Sequence, residues 1–397
     1  MALADGFSGW ENLSAGADPL AGIGRASKAG KDVSQSSALT LSSAWACTRA
    51  NSQIVGSLPV DLYTRDRDGK RVKAETPLAE ILTDQPCRGL TAFEYWEGAA
   101  AQLSLNGNAY SEKLYLGRRL VGLRPLFGVT PKRRDDGLFD YRFLDRGRMQ
   151  TLPPEKVFHV RGFGAGDGLG LSAIRFGVQS LGSALAADET AGRVFSNAMM
   201  AAGILKSDQT LTPEQRTQLQ SLLASYVSSD KAGKILTLEA GLSYEQLQMN
   251  PEDAQLLETR RFQVEDVCRW FGVPPIVIGH AAQGQTMWGS GVEAIMLAWL
   301  VLGVNPMLRR LETRAVGDLV RPTDGRSFWL EWNREAMLQM DSKAKGDFLS
   351  KMTASGIMSS DESRDKLNLT RRGGAADELR AQIATAPLDL LGKEKDA

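Results

Sequence analysis

The sequence predicts an α+β protein of several parts, in which two long helices flank a small αβ module. Three observations carry this prediction. Helix and strand patterns alternate over residues 39–163, long helical patterns cover 172–197 and 250–271, and a strand–helix–strand pattern lies between those two helices. With 397 residues the chain is long enough for two or three domains with a buried core.

The composition is that of an ordinary globular protein. Lys and Arg number 47 and Asp and Glu also 47, so the net charge is zero, which argues against a protein whose main task is to grip phosphates. Three cysteines without CxxC spacing and two histidines exclude a disulfide framework and offer little for zinc. These counts favour synthesis in a reducing cytoplasm.

No secretory signal or membrane span is predicted. The N-terminus lacks a basic region followed by an apolar run. The most apolar stretch, residues 294–308, has 15 residues without charge and includes Gly303, Asn305 and Pro306. A membrane span needs about 20 apolar residues.

The N-terminal third begins with a low-complexity segment. Of residues 1–38, 20 are Gly, Ala or Ser, which predicts a flexible or partner-ordered arm, with order beginning near Leu39. A helix follows and is stopped by Gly56 and Pro59, and a hairpin turns at Asp68-Gly69. One face of that helix carries its apolar residues, namely Ala44, Cys47, Ala50, Ile54 and Val55.

A second helix and four strands complete an α+β domain. The helix spans about 92–105 and ends at Asn106-Gly107. Strand patterns follow in NAYSEKLYL, RLVGLRPLF, DYRFLD and KVFHVRGF, separated by Gly, Pro and charged turns. Residues 39–163 are therefore predicted to form a meandering sheet with helices.

The middle of the chain is predicted to form a two-helix stalk with a small head. The helix over 172–197 is rich in small residues, including Gly177, Gly182 and Ala187. The head begins with strand GILKS and ends with ILTLEAGLSYEQLQ, and Thr212 and Pro213 start the helix between them. That helix places apolar residues on one face, namely Leu219, Leu222, Leu223 and Tyr226. Two antiparallel helices leave much surface uncovered, which suggests head-to-tail neighbours in a ring.

The last part has an unusual charge-free segment. Residues 270–292 contain no Lys, Arg, Asp or Glu, and the composition suits either a buried loop or a loop that touches something without holding it. A long apolar helix over 293–319 is predicted to kink at Asn305-Pro306. RSFWLEWN is then a strand, and polar helices with a break at Gly356 follow.

Motifs for catalysis are weak. Gly162–Gly170 follows a strand and precedes a helix, but it has no GxGxxG frame, and the chain has no GxxxxGK[ST], so a flexible connector is favoured over a phosphate loop. His159 is interpreted as a strand residue, and His280 has no nearby carboxylate in sequence. Asp135-Asp136 beside three basic residues is interpreted as a self-neutralising hairpin tip.

Several stretches together resemble the HK97-type portal family of tailed bacteriophages. The resemblance covers about 39–370 and is strongest in PEDAQLLETRRFQVEDVCRWFGVPPIVIG, residues 251–279. Four further stretches occur in the same order as in the family, namely SSAWACTRANSQIVGSLPVDLY, TPLAEILTDQPCRGLTAFEYWEGAAAQLSLNGNAY, LPPEKVFHVRGF with GLGLSAI, and ASGIMSSDESRDKLNL.

The resemblance implies a division of the chain into the parts of a portal subunit. The expected parts are a flexible arm (1–38), a wing (39–170, completed by strand 326–333), stem helix 1 (171–200), a clip (201–249), stem helix 2 (250–272), a tunnel loop with a long wing helix (273–325), and a crown with C-terminal tail (334–397).

The resemblance also implies function and partners. Portals are non-enzymatic twelve-fold rings at one capsid vertex that pass double-stranded DNA during packaging and ejection. The implied partners are the large terminase and the head–tail adaptor at the clip, and the major capsid protein, with no membrane and no cofactor or metal. The protein would be made in the host cytoplasm and reside in the virion.

The tunnel loop of this chain departs from the family pattern. Relatives often carry an acidic or Thr/Asn-rich stretch, whereas this chain has HAAQGQTMWGSG. The predicted DNA-facing residues are Gln283, Gly284, Gln285, Thr286, Met287 and Trp288. Uncharged side chains suit a channel through which DNA slides.

Two alternatives remain open at this point. One is a nucleotide-binding α/β enzyme built on the Gly162–Gly170 loop, which predicts a small oligomer stabilised by nucleotide. The other is a ring or scaffold from a secretion or domesticated phage-like system, which would lack the packaging ATPase as a partner.

Overall fold

The computed structural model describes most of the chain. The described residues are 26–67, 69–198, 203–207, 212–214, 217–218, 221, 242–246, 251–280, 290–320, 327–334, 342–367 and 369–379. The chain divides into two compact units, Met1–Ser57 with Leu62–Leu330, and Leu58–Asp61 with Glu331–Ala397.

Order begins earlier than the sequence predicts. Residues 26–38, expected to belong to a flexible arm, form a turn closed by a bridge between Ala26 and Asp32, followed by helix α1 (Gln35–Ala38). Val33 and Ala38 are buried. The expectation of an arm through residue 38 is therefore wrong for 26–38, because two buried apolar side chains anchor a segment that composition alone marks as polar.

The first long helices follow the sequence prediction closely. Helix α2 spans Ser42–Ser57 and buries Ala44, Cys47 and Val55. Helix α3 (Pro77–Thr83) was not predicted, although Thr76 caps it and Pro77 stands at its first position. Helix α4 (Ala92–Asn106) begins with a capping box and ends at Gly107.

Three antiparallel three-stranded sheets are described. The first has the order β4 (Arg119–Leu126), β3 (Asn108–Leu116), β8 (Val157–Arg161). The second has the order β5 (Thr130–Arg133), β6 (Phe139–Asp145), β7 (Arg148–Leu152), and the third has β11 (Phe328–Trp332), β1 (Val60–Arg65), β2 (Arg71–Lys73). One core cluster joins the first two sheets through Tyr110, Leu126, Phe139, Tyr141, Phe143, Val157 and Leu169.

Two of these strands do not stand out in the sequence, for a common reason. Strands β5 and β7 flank β6 and expose almost all of their side chains, so they lack the apolar alternation that marks a half-buried strand. Between β5 and β6, Arg134 pairs with Asp136 at 3.3 Å, which agrees with the interpretation of a self-neutralising hairpin tip.

The first stalk helix is broken near its start. The sequence predicts one helix over 172–197, but the structure has a single turn, α5 (Ala173–Phe176), and then α6 (Val178–Ala198). Gly177 separates them, and its amide still donates to the Ala173 carbonyl. A Cβ at Gly177 would lie 2.7 Å from the Ala173 carbonyl oxygen, so glycine permits this close approach.

Two strands of the small head and the second stalk helix lie where the sequence predicts them. Strands β9 (Gly203–Ser207) and β10 (Leu242–Gln246) pair antiparallel. Helix α7 spans Pro251–Phe271, as the cap and the first-turn acids predict. A 3₁₀ turn at Pro275–Ile278 ends at Gly279.

The predicted kink of the long apolar helix takes the form of a π-helix. Helix α8 (Ser290–Trp299) continues through π-helical Leu300–Val304 into α9 (Asn305–Leu319). Pro306 has no amide hydrogen to give to the preceding turn, so the hydrogen-bond register changes there.

One described helix, Ala294–Leu319, has the length and apolar composition of a membrane span. The sequence predicts this helix over 293–319 but no membrane span, because the uncharged stretch within it has only 15 residues. Its second half carries Arg310, Arg314 and Asp318 and buries Leu308, Leu311 and Ala315. Part of this helix therefore belongs to the core, where α9 packs against β8.

The second unit contains the polar helices expected near the C-terminus. Helix α10 (Ser342–Ala354) ends shortly before Gly356, and α11 (Ser360–Lys366) begins with a capping box at Ser359. The buried Asp361 carboxylate accepts hydrogen bonds from the amides of Arg372 and Gly373, at 2.9 and 2.7 Å. These contacts lower the pKa of Asp361 and hold the following segment.

Candidate functional site

A buried polar cluster lies where the first sheet joins the Gly162–Gly170 loop. The Asn108 side chain accepts from the Gly170 amide and donates to the Gly170 carbonyl, each at 2.8 Å. Its Oδ1 also lies 2.9 Å from His159 Nε2. His159 Nδ1 lies 3.1 Å from the Tyr141 hydroxyl, and Tyr110 stacks on the imidazole at 4.5 Å. The cluster ties β3, β6 and β8 to the loop that leads into α5.

This cluster fixes the protonation state of His159. Asn108 Oδ1 can only accept and the Tyr141 hydroxyl can donate, which fits a neutral imidazole with its hydrogen on Nε2. Burial lowers the pKa of His159 well below its usual value, and the charges of Arg161 and Arg314 lower it further. Arg314 also donates to the His159 carbonyl at 2.9 Å, which connects α9 to β8.

The two ends of the Gly162–Gly170 loop pack closely against Gly107. A Cβ at Gly170 would overlap the Gly107 carbonyl, and one at Gly162 would lie 2.7 Å from the same oxygen. Gly107 adopts φ +70° and ends α4 at this point. These glycines permit the two ends of the loop to pack closely against Gly107 and Asn108. This packing agrees with the interpretation of the loop as a connector.

Helices α6 and α7 pack antiparallel, as the sequence predicts. Trp270 Nε1 donates to Ser180 Oγ at 3.1 Å, and Arg260 pairs with Asp188 at 2.7 Å. Along the interface, the residue numbers fall in α7 as they rise in α6, which shows that the two helices run antiparallel. The ring of Trp270 lies over Gly177, where a Cβ would stand 3.1 Å from Trp270 Cδ2.

The three small residues proposed for stem packing have different neighbours. Gly177 faces Trp270 of α7, whereas a Cβ at Gly182 would overlap the side chain of Ser27 and lie 3.4 Å from Val33 Cγ2. Ala187 is buried on the same helix. Gly182 therefore makes room for the N-terminal segment, which the composition predicts to be an arm.

An exposed apolar face continues along α8 into the π-helix. Leu297 and Val301 are about half exposed, and Leu302 is 77% exposed. This face follows residues 281–289, which contain the predicted DNA-facing Gln283, Gly284, Gln285, Thr286, Met287 and Trp288. Those six residues lie outside the described residues, and so do the predicted clip residues Leu219, Leu222, Leu223 and Tyr226.

His280 has a carboxylate neighbour that its sequence position does not indicate. Its Nε2 lies 3.9 Å from Glu265 Oε1, although 15 positions separate the two residues. The 3₁₀ turn after α7 brings His280 back to that helix. The expectation that His280 has no nearby carboxylate is therefore wrong in space, because sequence distance does not reveal a chain reversal.

The comparisons with known proteins agree with one another. A family sequence model described as "Phage portal protein" matches residues 42–368. The portal protein of Enterobacteria phage HK97 is 29% identical over 364 residues, covering 90% of this chain and 85% of that protein. A probable portal protein of Streptomyces phage phiC31 is 28% identical over 364 residues, with coverages of 88% and 79%.

Solved structures share the fold. A chain from the neck of an empty GTA particle, computed with C6 symmetry, has a TM-score of 0.58 at 22% identity, covering 82% of this chain and 90% of that chain. An HK97 family phage portal protein from Corynebacterium diphtheriae has a TM-score of 0.52 at 18% identity, with coverages of 78% and 99%. The α+β fold class predicted from the sequence is thereby confirmed.

Proposed function

Because this chain belongs to the phage portal protein family, we propose that it forms a closed ring at one capsid vertex. Double-stranded DNA passes through that ring during packaging and ejection, and the protein acts as a structural, non-enzymatic component. The observation that carries the proposal is the match of the portal family model over residues 42–368. The C6 and C12 symmetries named for the similar neck particles support a ring.

The division of labour proposed within the subunit follows the family order. The wing (39–170 with strand 326–333), the stem (171–200 and 250–272) and the clip (201–249) precede a tunnel loop and long helix (273–325) and a crown (334–397). The clip would dock the large terminase and later the head–tail adaptor, and the major capsid protein would surround the ring. The protein would be made in the host cytoplasm and become part of the virion.

Two surface features support neighbours in a ring. The exposed apolar face of Leu297, Val301 and Leu302 would lose contact with water if a neighbouring subunit covered it. Only part of α6 is covered within one chain, since Gly192 has open space where a Cβ would stand. A two-helix stalk of this kind gains stability from lateral packing.

The first test is the solution mass of the purified full-length chain, followed by negative-stain imaging of the main species. A particle of about twelve chain masses with an open centre supports the proposal. If only a monomer or dimer forms, the chain is co-produced with capsid proteins of its own gene cluster. Failure to form a ring there as well would overturn the proposal.

A nucleotide titration separates the portal from the enzyme alternative. If the protein is a portal, the midpoint of its thermal unfolding should not change when ATP or NAD is added. A nucleotide-dependent rise that disappears in Gly164→Ala or Gly166→Ala would favour the enzyme built on the Gly162–Gly170 loop.

If the proposed tunnel loop faces DNA, substitutions in it should change DNA transit without preventing assembly of the ring. Gln285→Glu and Thr286→Lys should leave the ring intact and change the packaging rate or the length of packaged DNA, because each adds charge beside the phosphates. Gln150→Glu, at an exposed position on β7, is the matched control. Unchanged packaging in both loop variants would place the loop away from DNA.

A further inference from the structure

Two of the three cysteines lie side by side in the core although 221 positions separate them in sequence. Cys47 in the middle of α2 donates a hydrogen bond to Cys268 near the end of α7, with a sulfur–sulfur distance of 3.7 Å. Both side chains are buried, and Cys87 is apart from them in a partly exposed turn. We propose that Cys47 and Cys268 are an intramolecular disulfide-forming pair, which hydrogen peroxide oxidises to join the α2 helix to the base of the second stem helix.

The helices are held in register at this point by a second contact. Asn51 Nδ2, one turn after Cys47, donates to the carbonyl of Phe271 at 2.9 Å, and Phe271 lies three residues after Cys268. The two sulfurs therefore face each other across a fixed interface. A disulfide needs a sulfur–sulfur separation of about 2.05 Å, so the two sulfurs must approach by about 1.7 Å for the bond to form.

A cavity opens one helical turn from this pair. A cavity of about 370 Å³ is lined by Asn51 and Phe271 together with Trp270, Phe163, Gly303 and Met307. Asn51 and Phe271 each stand one helical turn from a cysteine. Hydrogen peroxide is about the size of water, so a brief local opening beside this cavity is enough to bring it to the sulfurs.

The two thiols are chemically unequal. The hydrogen bond from Cys47 lowers the pKa of Cys268, whereas the same contact and burial raise the pKa of Cys47. The thiolate is the reactive form of cysteine, so Cys268 is the first nucleophile.

The oxidation proceeds in two balanced steps. The Cys268 thiolate attacks one oxygen of hydrogen peroxide, the O–O bond breaks, and the departing hydroxide takes a proton to give water and a sulfenic acid. Cys47 then loses its proton and its sulfur attacks the Cys268 sulfur. The S–O bond breaks, a second water leaves, and the two thiols have lost two electrons to the peroxide.

The test treats the full chain with hydrogen peroxide at neutral pH, quenches the reaction, unfolds the protein and labels the remaining thiols. The Cys87→Ala variant should accept two labels before treatment and none after it, and the joined peptides should weigh about 2 Da less than the two reduced peptides together. Peptide mapping should find the segments containing Cys47 and Cys268 joined within one chain, and dithiothreitol should restore both labels.

The matched control is Cys87→Ala/Cys268→Ala, in which Cys47 should keep its label under the same exposure. Peptide mapping of the unsubstituted chain gives the same answer without any substitution at the pair. The proposal is overturned if the treated protein retains both labels, gains oxygen without a joined peptide, or forms the bond between two chains. This test does not depend on ring formation or on DNA passage.

Discussion

At the scale of single residues, the connection between the first sheet and helix α5 depends on one asparagine. Asn108 satisfies both backbone groups of Gly170 and one nitrogen of the buried His159. A buried polar group without a partner costs about 1–3 kcal/mol, so the loss of this side chain affects several groups together. The sequence NGNAY shows the glycine that ends α4 but does not show this network.

Replacement of Asn108 should therefore destabilise the protein. Asn108→Ala is expected to lower the free energy of unfolding by about 2 kcal/mol or more, because Gly170 and His159 keep unpaired polar groups. Denaturant titration followed by tryptophan fluorescence measures this. Asn106→Ala, two residues away and partly exposed, is the control, and an equal loss in both variants would contradict the role given to Asn108.

The same network predicts a pH dependence with a definite sign. His159 is neutral when folded because its pKa is well below the usual value, whereas the unfolded chain binds a proton near pH 6.5. The unfolded state thus binds more protons as the pH falls below about 6.5, and stability declines there by at most about 1.4 kcal/mol per pH unit. Above that pH this contribution is constant.

Unfolding titrations between about pH 5 and 7 test this prediction. The chain has two histidines, so His280→Gln is a matched control for His159→Gln. The control should retain the slope of the natural chain and His159→Gln should lose part of it. Equal slopes in both variants would mean that His159 does not titrate as its surroundings indicate.

At the scale of elements, helix α6 shows why small residues alone do not identify a partner. The sequence predicts the helix and its close contacts, and Gly177 does lie against Trp270 of α7. Gly182, one of the same small-residue set, instead faces Ser27 and Val33. The small residues of α6 therefore predict a close contact, but they do not identify which segment makes it.

The two glycines of α6 that differ in surroundings allow a matched comparison. Gly182→Leu should lower stability by about 1–3 kcal/mol, because the added side chain must displace Ser27. Gly192→Leu has open space and gains helix propensity of about 1 kcal/mol, so it should be neutral or stabilising. Thermal unfolding of both proteins distinguishes them.

If Gly182→Leu proves as stable as Gly192→Leu, the segment 26–38 does not pack on α6. The proposed stem has a further requirement, since Ala187→Leu combined with Gly182→Leu is expected to disturb ring assembly. A ring of unchanged mass from the double variant would contradict a close-packed stem.

At the scale of the whole molecule, charge balance sets the expected behaviour toward DNA. Equal numbers of basic and acidic residues give no net attraction to a polyanion. A protein that releases many counterions on binding DNA shows steep salt dependence, which this composition does not favour.

The assembled protein should bind short duplex DNA weakly. At about 150 mM salt we expect a dissociation constant above about 10 µM and a shallow dependence on salt, measured by fluorescence anisotropy. Gln285→Lys with Thr286→Lys should tighten binding and steepen that dependence if the loop lines the channel. Tight and steeply salt-dependent binding by the natural chain would contradict this prediction. It would mean that basic residues are concentrated on one surface although the net charge is zero.

The sequence by itself determined most of the long helices, the principal strands and the family. Helix α7 was predicted within a residue at each end, because cap residues, first-turn acids and a terminating glycine act within a few positions. Pro306 likewise predicted the kink of the long helix, since its missing amide hydrogen is a local property.

Only the tertiary structure decided which distant residues meet. It placed Cys47 beside Cys268, His159 between Asn108 and Tyr141, and Ser27 against Gly182. Strands β5 and β7 could also be recognised only in the structure. They are defined by their pairing with β6, since their own sequences lack an apolar pattern. Contacts of this kind depend on where the chain returns in space, and spacing along the sequence carries no record of that.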